Sequence, residues 1–269
     1  MTGSDQLPRT LSEYYSRAKT GMSPHNRAYF LAGSGDEQTA AANEAAFLQA
    51  QVTPRMLRDL RGGSTETSVL GQKLAAPFLI APFAYQRLLH DEGETATARG
   101  AEAQSIKMVL SAQSSEPIDK VRANSSGSDW FQLHWMGNRE NTQALAQMAL
   151  AAGYNRLILT VDAPVQGVRD QFTPPRITPH ENARSVIFDH IAETLPTWED
   201  VAWLIGNLQA PLVLKGILHP EDAAQAQRTG AAGIIVSTHG GRLLDRAPAT
   251  LSALPSIIDK VGPDYPVLL

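Results

Sequence analysis

The sequence predicts an α/β protein built as a (β/α)8 TIM-type barrel, incomplete with about seven strands, and preceded by a helical N-terminal extension. Three observations carry this. Short apolar runs alternate with amphipathic stretches from Pro77 to the last residue. Each run is apolar on both sides of the pleat, as parallel strands covered by helices must be. Polar residues collect where several different runs end, which is the barrel pattern of catalytic groups.

In chain order, residues 1–70 form an N-terminal section, largely helical through Asn43–Gln51, expected to pack across a barrel made by residues 71–269. The strand runs fall at 77–81, 107–111, 130–134, 156–161, 211–216, 233–237 and 266–269. Helical stretches lie between them at 93–104, 139–152, 197–208, 220–228 and 248–261. Two of these open with helix-start chemistry, Pro-Thr-Trp-Glu-Asp at 196–200 and His-Pro-Glu-Asp at 219–222. Strand alternating with helix means a parallel sheet. An open dinucleotide-binding sheet would show G-x-G-x-x-G after its first strand. Here Gly33-Ser34-Gly35 follows no strand and lacks the third glycine, so the barrel is the favoured architecture. Gln166–Leu195 holds prolines, histidines and charges without periodicity, and reads as a long loop after the fourth strand, a kind of segment that often serves as an active-site lid.

Composition narrows the partners. With 43% hydrophobic residues, 19% charged residues and a net charge of −4, nothing suggests nucleic acid. An anionic ligand must be met by a few placed cations. The absence of cysteine excludes disulfides, thiolate metal sites and a cysteine nucleophile. No apolar leader and no run of about 18 apolar residues occurs. The expected location is cytoplasmic, with a peripheral attachment to the inner membrane left open.

Chemistry concentrates in Gly233-Ile-Ile-Val-Ser-Thr-His-Gly-Gly-Arg242, followed by Asp245. His239 can move protons near neutral pH, and Arg242 can clamp a carboxylate bidentately. The plain alternative is a strand ending in a polar turn. Asp162, in Thr160-Val161-Asp162-Ala163-Pro164, can orient an imidazole or merely cap a turn, and Arg169 follows it. Lys215 ends the apolar run Leu212-Val213-Leu214, and a lysine delivered by such a strand calls for a charge to meet. Tyr29-Phe30 alone reads as core. His180, Asp189 and His190 have no metal-ligand spacing, and no metal is expected.

Taken in order, Tyr29–Glu37, Ala81–Glu94, Leu110-Ser111, Phe131-Gln132-Leu133, Leu159–Arg169, Leu214-Lys215-Gly216 and Ser237–Asp245 cover nearly the whole chain. Together they resemble the FMN-dependent 2-hydroxy-acid oxidase and dehydrogenase family, which includes glycolate oxidase, lactate oxidase, L-lactate dehydrogenase and mandelate dehydrogenase. The resemblance implies oxidation of a small L-2-hydroxy acid, such as lactate or glycolate, to the 2-keto acid, with FMN as cofactor. His239 would be the base while electrons pass to flavin N5, and Asp162 would stabilise its imidazolium. Arg242 and Arg169 would grip the substrate carboxylate, with Tyr29 donating a hydrogen bond. Lys215 would stand at flavin N1–O2, where negative charge develops. Ser111, Gln132 and Thr160 would meet the ring edge, with Ser237 nearby, and Pro82, Phe83 and Ala84 would lie against the ring. The family also implies a homotetramer and an electron acceptor among oxygen, quinone and cytochrome.

Two departures accompany the match. His134 stands where the family has a tyrosine touching the substrate oxygen, and Thr238 replaces an asparagine. After Pro266-Val267-Leu268-Leu269 the family continues with an Asp-Gly-Gly-x-Arg-Arg-Gly segment and a Gly-Arg pair that hold the FMN phosphate. The chain is therefore expected to be a C-terminally truncated barrel, the alternative function being an inactive member that binds no FMN.

Overall fold

A computed structural model describes residues 7–125, 130–163, 167–168 and 195–269. Three helices open the chain: α1 (Leu11–Gly21), α2 (Pro24–Leu31) and α3 (Gln38–Gln49). Thr10 caps α1 and Ser23 caps α2, each hydroxyl accepting a hydrogen bond from a backbone N–H of the first turn. A hairpin of β1 (Thr67–Val69) and β2 (Gln72–Leu74) follows. Its turn residues Leu70 and Gly71 both have positive φ, as a tight hairpin of matching twist requires.

The alternating region then builds β3 (Leu79–Ile80), α4 (Gly93–Ala103), β4 (Lys107–Ser111), α5 (Ile118–Ala123) and β5 (Trp130–Leu133). It continues with α6 (Arg139–Ala151), β6 (Arg156–Thr160), α7 (Trp198–Asn207), β7 (Leu212–Ile217) and α8 (Pro220–Thr229). It closes with β8 (Gly233–Val236), α9 (Thr250–Val261) and β9 (Val267–Leu268). β3 to β9 pair in parallel and in sequential order, an open arc of a β/α-barrel. Each expected strand run overlaps one of these seven, β7 extending one residue beyond its run to Ile217. α5 and the hairpin were not anticipated.

Helix ends follow their local chemistry. Thr197 and Asp200 form a reciprocal capping box at the start of α7. α8 stops at Gly230, whose φ of 92° is the left-handed conformation that glycine takes without a Cβ clash. Among the described residues no helix is long and apolar enough to cross a membrane.

The two strand faces divide the interior. Leu110, Phe131, Leu133, Leu157, Leu159, Leu214 and Ile234 point outward into the helices and form the larger core. Val109, Trp130, Ile158 and Val213 point inward. Val69 and Leu70 of the hairpin pack on this inner cluster, the Trp130 indole N–H donates to Gln72 Oε1, and Arg156 Nη2 donates to Leu70 O at 3.1 Å. Trp130 and Arg156 begin their strands. The hairpin thus plugs the N-terminal end of the strands and leaves the C-terminal end for the site.

Candidate active site at the strand C-termini

A cavity of about 290 Å³ lies at those C-terminal ends. Pro82, Phe83 and Ala84 after β3, Ser111 ending β4, and Gln132 and His134 at the end of β5 line it. Thr160 of β6, Lys215 of β7, and Ser237, His239 and Arg242 beyond β8 complete the strand-end wall, and Tyr29 joins from α2. Asp162 stands behind His239. Arg169 lies outside the described residues, as do His180, Asp189 and His190. Phe30, Ala81, Gln113 and Gly240 also line the cavity and were not anticipated.

Where the strands leave the core, their last side chains bond to one another. Ser111 Oγ donates to Gln132 Oε1 at 3.0 Å, and Gln132 Nε2 donates to Thr160 Oγ1 at 3.0 Å. The in-register pairs Ser111–Gln132 and Thr160–Lys215 place these groups side by side. All four are buried, so the row is pre-set rather than solvated.

Three charged groups meet beside it. His239 Nδ1 lies 3.0 Å from Asp162 Oδ1, and Lys215 Nζ lies 3.9 Å from Asp162 Oδ2. Burial alone would raise the Asp162 pKa, but the His239 hydrogen bond and the Lys215 charge hold it below the usual carboxylate range. Burial lowers the Lys215 pKa, an effect Asp162 partly offsets. Burial also lowers that of His239 more than the Asp162 bond raises it. That shift favours the neutral imidazole, and an ionised Asp162 facing Nδ1 favours the tautomer with its proton there and Nε2 unprotonated. Asp162 Oδ2 is buried and accepts no hydrogen bond. His134 is enclosed, and burial followed by the nearby His239 and Lys215 pushes its pKa down to about 3.

Backbone geometry makes this arrangement possible. His239 itself has a φ of 55°, uncommon for a side chain with a Cβ, and its N–H donates to Ser237 Oγ at 3.0 Å. In β7 the register slips between Lys215 and Ile217, leaving Gly216 out of the ladder at a φ of 113°. Asp162 packs directly on Gly216, where any Cβ would collide with the aspartate side chain. Such bulges re-aim side chains near sites.

The N-terminal helices are tied to the turn after β8. Arg242 Nη1 donates to Phe30 O at 3.1 Å, and its guanidinium carbon lies 5.3 Å from the Tyr29 ring centre. The Asp245 carboxylate accepts from Asp36 N and Thr39 N, both at 2.9 Å. It thereby caps α3, whose own N-cap Glu37 makes no side-chain cap. Ser34 N donates to Gly241 O at 2.9 Å, and a Cβ on Gly241 would lie 2.5 Å from Ala40 N. Asn43 Nδ2 donates to Thr238 Oγ1 at 2.8 Å.

A parallel β/α-barrel that gathers a histidine, its carboxylate and a buried lysine at the strand C-termini is the frame on which barrel enzymes carry their chemistry. Among the described residues no cluster suited to a metal ion occurs. The family model described as FMN-dependent dehydrogenase matches residues 18–269, and the chain belongs to that family. An L-lactate oxidase from Alicycliphilus denitrificans is 39% identical, the alignment covering 100% of this chain and 80% of the relative. An L-lactate oxidase from Nostoc sp. is 42% identical over 97% of this chain and 79% of the relative. The crystal structure of a mandelate oxidase superposes with a TM-score of 0.88 at 34% identity, covering 97% of this chain and 78% of that one.

The residues present fit the family's cofactor. A flat heteroaromatic ring carrying donors and acceptors on its rim needs one apolar wall and one polar edge. Pro82, Phe83 and Ala84 line the same cavity as the Ser111–Gln132–Thr160 row. Lys215, only 9% exposed, offers a positive charge that Asp162 meets at 3.9 Å rather than in a tight pair.

Proposed function

We propose that the chain oxidises a small L-2-hydroxy acid to its 2-keto acid with FMN, His239 acting as the base. The observation that carries this reading is the pairing of His239 Nδ1 with Asp162 Oδ1 at 3.0 Å, in a cavity that Arg242 and Lys215 also line. In this reading Ser111, Gln132, Thr160 and Lys215 hold the ring edge of FMN, the Pro82–Ala84 backbone lies along its face, and Ser237 stands nearby. FMN, when bound, supplies the two-electron acceptor.

The chain's own residues do the rest. Arg242 presents its guanidinium to the substrate carboxylate and Tyr29 donates a hydrogen bond, with Arg169 as a second cation. His239 Nε2 takes one proton from the substrate as two electrons leave it, and the other hydrogen, with those electrons, would be taken up by FMN. Asp162, already ionised, stabilises the imidazolium through Nδ1–H, which is general base catalysis worth about 10²–10⁴-fold. Lys215 sets positive charge where negative charge gathers. His134, neutral, offers a hydrogen bond to the substrate oxygen.

The experiment is product analysis with the two enantiomers of lactate and with glycolate. The reading expects pyruvate from the L-enantiomer and glyoxylate from glycolate, and His239→Ala should lose both. Keto acid formed equally well by the His239→Ala variant would remove histidine from its role.

A further inference from the structure

One polar group on the cavity wall is left over from this mechanism. Gln113 lines the cavity, is 7% exposed, and its Nε2 is buried without a hydrogen-bond partner. Buried amide donors are almost always satisfied, so this one, enclosed in the wall of a cavity that its own residue lines, is a group that a turn of the side chain would bring to a bound oxygen. Its backbone is pinned on both sides. Gln113 N donates to Ser111 Oγ at 3.1 Å, and Tyr85 N donates to Gln113 O at 3.1 Å. Tyr85 in turn stands 6.0 Å from Tyr29, ring centre to ring centre. Gln113 therefore adjoins Ser111 of the strand-end row on one side and, through Tyr85, the Tyr29 wall on the other. His134 adds a second neutral polar group to the same cavity. A half-turn about the Gln113 Cγ–Cδ bond exchanges its nitrogen and oxygen, so the amide can donate or accept.

We propose that Gln113 is a specificity residue whose amide hydrogen-bonds an oxygen on the substrate's side chain. The preferred substrate is then a 2-hydroxy acid carrying a hydroxyl or carbonyl group beyond its 2-carbon, such as a 2,3-dihydroxy acid. This rests on the 2-hydroxy-acid reading above and narrows it. A site built to bond a substrate oxygen rejects the analogue lacking it more strongly than an apolar pocket rejects an added group.

The test compares L-glycerate with L-lactate as reductants of the FMN-loaded protein, and hydroxypyruvate with pyruvate as ligands by calorimetry. The wild type should favour the hydroxylated member of each pair. In Gln113→Leu that preference should fall by about tenfold in kcat/KM and in Kd, the loss expected for one neutral hydrogen bond. Gln113→Met keeps the side-chain length and serves if the leucine variant does not fold. A preference unchanged within about twofold overturns the proposal. So does weakened FMN binding with the preference intact, because the amide would then belong to the cofactor. If neither acid reduces the flavin but the keto acids still bind with a Gln113-dependent preference, the oxidation reading fails and the recognition stands. If reduction proceeds and the preference does not move, only the specificity inference fails.

Discussion

At the scale of single residues, burial and one carboxylate act in opposite senses on the charge of a histidine. Burial lowers the His239 pKa, Asp162 raises it, and the Lys215 and Arg242 charges add to the lowering, so the net shift is downward. The neutral base is the form that accepts a proton, and it persists at pH values above the folded pKa. The acid limb of kcat/KM should accordingly lie below the ordinary histidine value of about 6.5. Asp162→Asn removes the group that raises the pKa, so the limb should move to still lower pH. The same change should slow turnover by about 10²-fold or more, since the imidazolium loses its partner. A pH profile of both proteins checks this; a limb that moves upward in Asp162→Asn would contradict the electrostatic account. In the sequence His239 and Asp162 stand just beyond apolar runs, where each reads equally as turn chemistry, and their roles are what the family resemblance implies. Gln113 was not legible there. Its meaning lies in an unpaired amide nitrogen, and no local pattern announces that.

At the scale of elements, the strands were legible because both faces are apolar, and the five helical stretches because their periodicity runs long enough to register. The short α5 and the β1–β2 plug carry too few residues for periodicity to show. The bulge at Gly216 was equally hidden, since it arises from a register slip between two strands. The contact between α3 and the turn after β8 depends on Asp245, a residue the sequence places in a conspicuous motif without saying what it touches. Its carboxylate caps a helix from another part of the chain. Asp245→Ala should free the start of α3 and let Tyr29 and the backbone partners of Arg242 drift. The expected result is a substrate KM raised by about tenfold, because small misplacements of positioning groups are costly. kcat should change less, and hydrogen exchange should rise in α3. An unaltered KM with slow exchange in α3 would mean that the remaining contacts, such as Ser34 to Gly241, position the segment by themselves.

At the scale of the whole molecule, a net charge of −4 supplies no field to draw in an anion. On the proposed reading, the acid's carboxylate falls to Arg242, while Lys215, the other Lys/Arg lining the cavity among the described residues, faces the cofactor. The plugged N-terminal end of the strands and the polar C-terminal end divide the labour between stability and chemistry, as β/α-barrels do. The measurement that tests the account most directly is an anaerobic titration of the 269-residue chain with FMN, then with L-lactate and L-glycerate. The account predicts saturable FMN binding, followed by bleaching of the visible flavin band in the wild type and none in His239→Ala. A folded chain that binds no FMN, or a bound flavin that His239→Ala reduces as fast as the wild type, would contradict it.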